Sequence, residues 1–164
     1  VETLWAPWRI EYILSDKSKK KGCLFCTALA EKEDEVHYVL YRGKHSFIMM
    51  NLYPYNNGHL MIIPYRHVPY LADLTQEEIL DVFSEVQRCE TILKKAFHPE
   101  GFNMGINVGT VAGAGVKDHI HVHIVPRWEG DTNYMTVIAE VRVIPEHIKS
   151  TYKTLLPYFH HAKV

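Results

Sequence analysis

An α+β fold, with a mainly antiparallel sheet and helices packed on one face, is what this sequence predicts. Three observations carry the prediction. Six short runs rich in β-branched and aromatic residues are bounded by glycine, asparagine and proline. One long stretch carries apolar residues at helical spacing. A second helical pattern appears only at the C-terminal end, so strands follow strands instead of alternating with helices.

The elements follow in chain order. The N-terminal segment 1–35 lacks the charged-then-apolar pattern of a signal peptide, and its KSKKKG run (17–22) reads as a solvated loop. VHYVLYR (36–42), SFIMMN (46–51) and HLMIIPY (59–65) read as strands, the last two joined by the turn-forming LYPYNNG. A helix is expected from about Thr75 to Phe97. Thr75 and Glu78 form a capping box, and Leu74 and Ile79 a hydrophobic staple. Ile79, Val82, Phe83, Val86, Leu93 and Phe97 fall on one face, with Cys89 near it as a small core residue. FNMGINVG (102–109), HIHVHIV (119–125) and MTVIAEVRV (135–143) are the remaining strands. A C-terminal helix is expected to begin at Pro145, in its first turn, and to end near Phe159.

The chain of 164 residues, 47% of them hydrophobic, suits one compact domain over 1–164. With 18 Lys+Arg against 19 Asp+Glu, the basic footprint of a nucleic-acid binder is missing, and no run reaches the length of a membrane span. Three cysteines, an odd count, argue against a disulfide framework and for a reducing, cytoplasmic setting.

The chemistry concentrates in DHIHVHIV (118–125). On a strand, His119, His121 and His123 share one face, while Ile120, Val122 and Ile124 share the other and should pack on a helix. Three adjacent imidazoles in a purely structural role would leave many donors and acceptors to satisfy. Such a row is a metal site, a nucleophilic site, or both. The preceding NVGTVAGAGVKD (107–118) is either a hairpin connection or a glycine-rich loop whose N–H groups approach a phosphate. A neutral imidazole beside a phosphate can attack phosphorus and form a phosphoramidate. Cys23 and Cys26, in CLFC, have the spacing of a zinc half-site, or are two buried structural cysteines.

HIHVHIV matches the pattern of the histidine triad (HIT) superfamily of nucleotide hydrolases and transferases. NLYPYNNGHLMIIPYRH (51–67) resembles its second strand, turn and third strand. LWAPWRIEYI (4–13) and HIHVHIVPRWEGDTNYM (119–135) are most similar to its bacterial diadenosine tetraphosphate phosphorylase-like branch. The resemblance implies an enzyme and a homodimer with sheets joined across a two-fold axis. It implies His121 as the nucleophile that carries the nucleotidyl group, His123 orienting the phosphate, and His59 supporting the triad. Asn51 stands where the family contacts ribose, and Asn107 with Ala114, Gly115 and Val116 where it binds phosphates. Many members have Gln or Ser at the position of Gly115, so backbone donors must substitute here. Zinc-containing members use the equivalents of Cys23, Cys26, His67 and His119 as a closed, structural set. The reaction implied is nucleotidyl transfer from an adenine nucleotide or dinucleotide, with phosphorolysis of diadenosine polyphosphates favoured. Alternatives are the corresponding hydrolase, a purine nucleoside phosphoramidase, and a nucleotide-binding module without turnover.

Fewer signals attend the remaining candidates. Trp128 is placed to stack on a purine, and Arg127 either meets a phosphate or is solvated. Trp5 and Trp8 read as packing, Phe47 and Leu60 as pocket or core, and Asp118 has no role. His37, His45, His98, His147, His160 and His161 read as surface or loop residues.

Overall fold

The computed structural model describes residues 22–131 and 144–161. The readings for 4–13, for most of KSKKKG, for Trp5 and Trp8, and for the strand 135–143 lie outside the described residues.

Five strands form one antiparallel sheet: β1 (Val39–Arg42), β2 (Ser46–Met50), β3 (Leu60–Pro64), β4 (Gly101–Ile106) and β5 (Val122–Arg127), in the order β1-β2-β3-β5-β4. β5 is therefore an interior strand between β3 and β4, with His123 opposite Met61 of β3 and Gly105 of β4. The period of two sorts the residues. Leu40, Ile48, Met50, Leu60, Ile62, Val122 and Ile124 point to one face. There they meet Val82, Val86, Cys89, Ile92 and Leu93 of the long helix, and Tyr152, Leu155 and Phe159 of the C-terminal helix. Val39, Phe47, Met49, Met61 and Ile63 point to the other face and enclose Phe25. Phe47 and Leu60 are both core residues.

Four helices complete the described chain: α1 (Leu24–Glu31), α2 (Asp34–His37), α3 (Gln76–Phe97) and α4 (Ile148–His161). The two long ones hold to one face, as expected. α1 is not legible in the sequence pattern, and it covers the second face through Phe25 and Ala28. α2 replaces the start of the strand expected from residue 36. Tyr38, with φ of 55°, breaks the helical turn before β1 begins. The helix expected from Pro145 starts instead at Ile148. His147 caps it, its ring Nδ1 accepting from the Lys149 N–H and its carbonyl from Ser150 and Thr151. The strand expected at 119–125 becomes regular only at Val122, because the Ile120 N–H donates to the Val68 carbonyl in the segment after β3. Phe83 sits at the rim of the α3 stripe and is 47% exposed. His98, His147 and His160 are exposed, whereas His37 and His45 are half-buried.

α3 is capped as the sequence predicts. The Thr75 hydroxyl accepts from the Glu78 N–H, and the Glu78 carboxylate accepts from the Thr75 N–H. That carboxylate also takes two bonds from the Arg66 guanidinium, which in turn donates to the Asp73 carbonyl. Arg66 holds the Glu78 carboxyl at about 2, against an ordinary 4.5. A depressed acid contributes stability above its unfolded pKa and loses it as pH falls through its folded one. The expected result is a Tm gap between the wild type and Glu78→Gln that is full above pH 5 and closes from there to about pH 2. Because Arg66 is half exposed, the gap is about 1–2 kcal/mol. A gap of the same size at pH 3 and pH 7 would sink this assignment.

Candidate functional site

α1 starts at the foot of the sheet and brings Cys23, its N-cap, and Cys26 toward β5. Cys23 Sγ lies 3.3 Å from His119 Nδ1, and Cys26 Sγ lies 3.4 Å from His67 Nδ1 and 3.7 Å from His119 Nδ1. One donor atom from each of the four residues lies within 4.8 Å of the others, and the set could hold a metal ion. A tetrahedral ion with S and N ligands at ordinary bond lengths needs an S···N edge of about 3.5 Å. The donor chemistry fits as well. His119 Nε2–H donates to the Pro64 carbonyl at 2.9 Å, which leaves Nδ1 with its lone pair toward the cysteines. Burial keeps the His119 ring neutral. Burial also pushes the Cys26 thiol up, and the neighbouring Cys23 pushes it further. A cation between the two sulfurs would offset both effects and hold them as thiolates.

His121 and His123 follow on the same face, their rings 4.7 Å apart and nearly perpendicular. The side chains around them fix where each proton sits. His121 Nδ1 lies 2.9 Å from the His119 carbonyl, which can only accept, so Nδ1 carries the proton and Nε2 keeps its lone pair. The Tyr55 backbone N–H can only donate, and it lies 3.0 Å from His59 Nδ1. His59 Nε2 therefore carries a proton and donates to His123 Nδ1 at 2.9 Å. His123 is left with its proton on Nε2. The row thus presents a bare nitrogen on His121 and an N–H donor on His123, side by side.

All four imidazoles are buried. Burial lowers His121, and burial with the His121 charge takes His123 down to about 4. Both rings are neutral near pH 7. Phe25 meets His119 and His121 edge-on, with centroids 5.3 Å and 5.0 Å away. The tyrosine ring of Tyr55 lies over His59 and His123. Neither aromatic was singled out from the sequence. Phe25 lies within CLFC, which reads as a half-site, and Tyr55 within a stretch that reads only as a turn.

The other site candidates divide. Asn51 adjoins His59, its N–H donating to the His59 carbonyl and its side chain accepting from the Tyr53 N–H. Asn107 lies beside Gly113, whose φ of 89° closes the short 3-10 turn Thr110–Ala112. The Ala114 N–H is given to the Gly109 carbonyl. Gly115 is exposed with open space around its Cα, and Val116 packs beside the Phe25 cluster. Trp128 is the first residue past β5, and its N–H donates to the Asp131 carboxylate in the turn that follows. Arg127 beside it is engaged by Asp131 and Asn103, with its side chain still 42% exposed. Asp118 is exposed.

Comparison with known proteins agrees with this geometry. The HIT domain family matches residues 32–130. The chain is 38% identical over 161 residues to a protein named AP-4-A phosphorylase from Mycobacterium tuberculosis, covering 94% of this chain and 83% of that one. It is 43% identical over 93 residues to a bis(5'-nucleosyl)-tetraphosphatase (asymmetrical) of Schizosaccharomyces pombe, covering 57% of this chain and 50% of that protein. Its fold superposes on the crystal structure of a Zn-bound histidine triad family protein from Mycobacterium smegmatis with a TM-score of 0.68. The two are 25% identical, with 85% of this chain and 94% of that one covered.

Proposed function

The chain belongs to the HIT family, and from that premise we propose that it is a nucleotidyl-transferring enzyme that cleaves diadenosine polyphosphates, as a phosphorylase. One observation carries the reading: an imidazole with a free Nε2 beside an imidazole with an Nε2–H, both neutral and held by fixed hydrogen bonds. The AP-4-A phosphorylase relative matches most of both chains and supports the choice of substrate.

The reaction then runs in two displacements. His121 Nε2 forms a bond to the α-phosphorus, and the bond from that phosphorus to its bridging oxygen breaks. The electron pair leaves with the departing nucleotide, while His123 Nε2–H donates to the phosphate oxygens. An oxygen of inorganic phosphate then attacks the same phosphorus, the P–N bond breaks, and ADP is released. Asn51 serves the ribose. Asn107 with the N–H groups of Gly115 and Val116 serves the phosphates, and Ala114 shapes their loop instead of donating. Trp128, just past the end of β5, serves the base as a stacking partner.

The metal is zinc in a closed, structural role, held by Cys23, Cys26, His67 and His119, and it supplies rigidity at the foot of β5. Thiolate ligands and an odd cysteine count suit a reducing cytoplasm. No helix among the described residues is long and apolar enough to cross a membrane. A homodimer is supported by β4, an edge strand among the described residues that carries the exposed Met104.

Product analysis with diadenosine tetraphosphate tests the reading. ADP and ATP that appear only with inorganic phosphate are expected. AMP and ATP without a phosphate requirement would make the chain a hydrolase, the reading that the tetraphosphatase relative favours. No product in either condition would defeat both.

A further inference from the structure

Tyr55 touches the reacting pair in two ways, through its backbone and through its ring. Its N–H sets the His59 tautomer. Its ring lies tilted over His59, with centroids 4.7 Å apart, and over His123, 5.8 Å away. Tyr55 is 43% exposed as a residue, whereas His59 beneath its ring is 0% and His123 8% exposed. The ring is a partly exposed roof over the two imidazoles. Pro54 precedes it and restricts the turn that places it there.

We propose that Tyr55 is a positioning residue that holds the His59–His123 pair dry and in one tautomer, so that the His123 Nε2–H always faces the phosphate. The inference rests on the reading of His123 as the phosphate donor. The physical reason has two parts. Protonating His123 would place a second N–H on Nδ1, opposed to the His59 Nε2–H at 2.9 Å. A charged imidazole also needs water, and the Tyr55 ring excludes it from that side. Among the described residues, the titratable groups whose rings meet His123 are His59, His121 and Tyr55. Removing the tyrosine ring gives water a path to His123, which then takes up a proton more readily and loses its fixed orientation.

The test uses the full chain labelled with 15N-histidine, as wild type, Tyr55→Ala and Tyr55→Phe. Imidazole nitrogen shifts report the tautomer and titration of each ring without any substrate. In Tyr55→Ala, the titration of His123 is expected to move up by about one pH unit. The kcat for diadenosine tetraphosphate falls about tenfold, with KM held within about twofold. Tyr55→Phe, which keeps both ring and N–H, restores the wild-type titration and kcat. An unmoved His123 titration in Tyr55→Ala would overturn the proposal, whatever happens to the rate. So would a Tyr55→Phe protein that titrates like Tyr55→Ala, because the hydroxyl and not the cover would then matter. If Tyr55→Ala loses its spectral dispersion, Tyr55→Val is read in its place by the same criteria. A wild type that turns over no dinucleotide defeats the proposed function but leaves the His123 titration to decide the role of Tyr55.

Discussion

His121→Ala binds its nucleotide and leaves it uncleaved: turnover falls by about 10³-fold or more, while affinity stays within a few-fold. The asymmetry follows from how the site is divided. The contacts assigned to ribose and phosphates come from Asn51, Asn107 and the loop at Gly115, none of which depends on the His121 ring. The bond-forming nitrogen has no substitute nearby. His119 Nδ1 faces the cysteines, His123 Nδ1 is occupied by His59, and the lone pair of His59 Nδ1 is taken by the Tyr55 N–H. Calorimetric titration of the variant with diadenosine tetraphosphate, beside a product assay, separates the two quantities. Turnover above about one-hundredth of wild type would show that His121 is not the covalent nucleophile. A wild type without turnover but with the same affinity would leave a binding module.

Cys26→Ala should strip the metal and loosen the foot of the sheet. Cys26 Sγ is the donor that lies close to both histidines of the set, and three ligands do not close a structural site. Zinc content should drop from about one ion per chain to a small fraction of that. Unlike a zinc-finger peptide, this chain has a core of its own on the α3 side, so it stays folded and loses about 3–5 kcal/mol. For a domain of this size that is a fall in Tm of roughly 10 °C or more. Elemental analysis of protein purified without chelator, with thermal melts of both forms, checks the pair of outcomes. Wild-type protein without stoichiometric zinc, or a variant with unchanged Tm, would remove the metal from the account.

Much of this was legible in the residues. The alternation of His119, His121 and His123 with Ile120, Val122 and Ile124 sorts the side chains, and the core on the α3 side takes up Val122 and Ile124 as expected. Thr75 and Glu78 announce the start of α3 through chemistry confined to four residues. What the sequence hid depends on groups far apart along the chain. The partner of Glu78 is Arg66, on a different segment. α1 is short, and its apolar face is defined only by the second side of the sheet. Tyr55 looks like any turn residue until His59 and His123 are brought under it. The tautomers of the triad follow from three backbone groups, at Pro64, His119 and Tyr55, that no side-chain pattern records.

His119 serves two neighbours at once. Its ring belongs to the four-residue set that could hold a metal, and its carbonyl accepts the Nδ1 proton of His121. The two groups share one α-carbon, so a change that moves the ring also moves the carbonyl that orients the attacking ring. Two braces independent of the cysteines limit that movement: the Pro64 carbonyl on the ring and the Val68 carbonyl on the Ile120 N–H of the same peptide. A lineage that loses Cys23 or Cys26 would lean on these two bonds to keep the attacking ring in place.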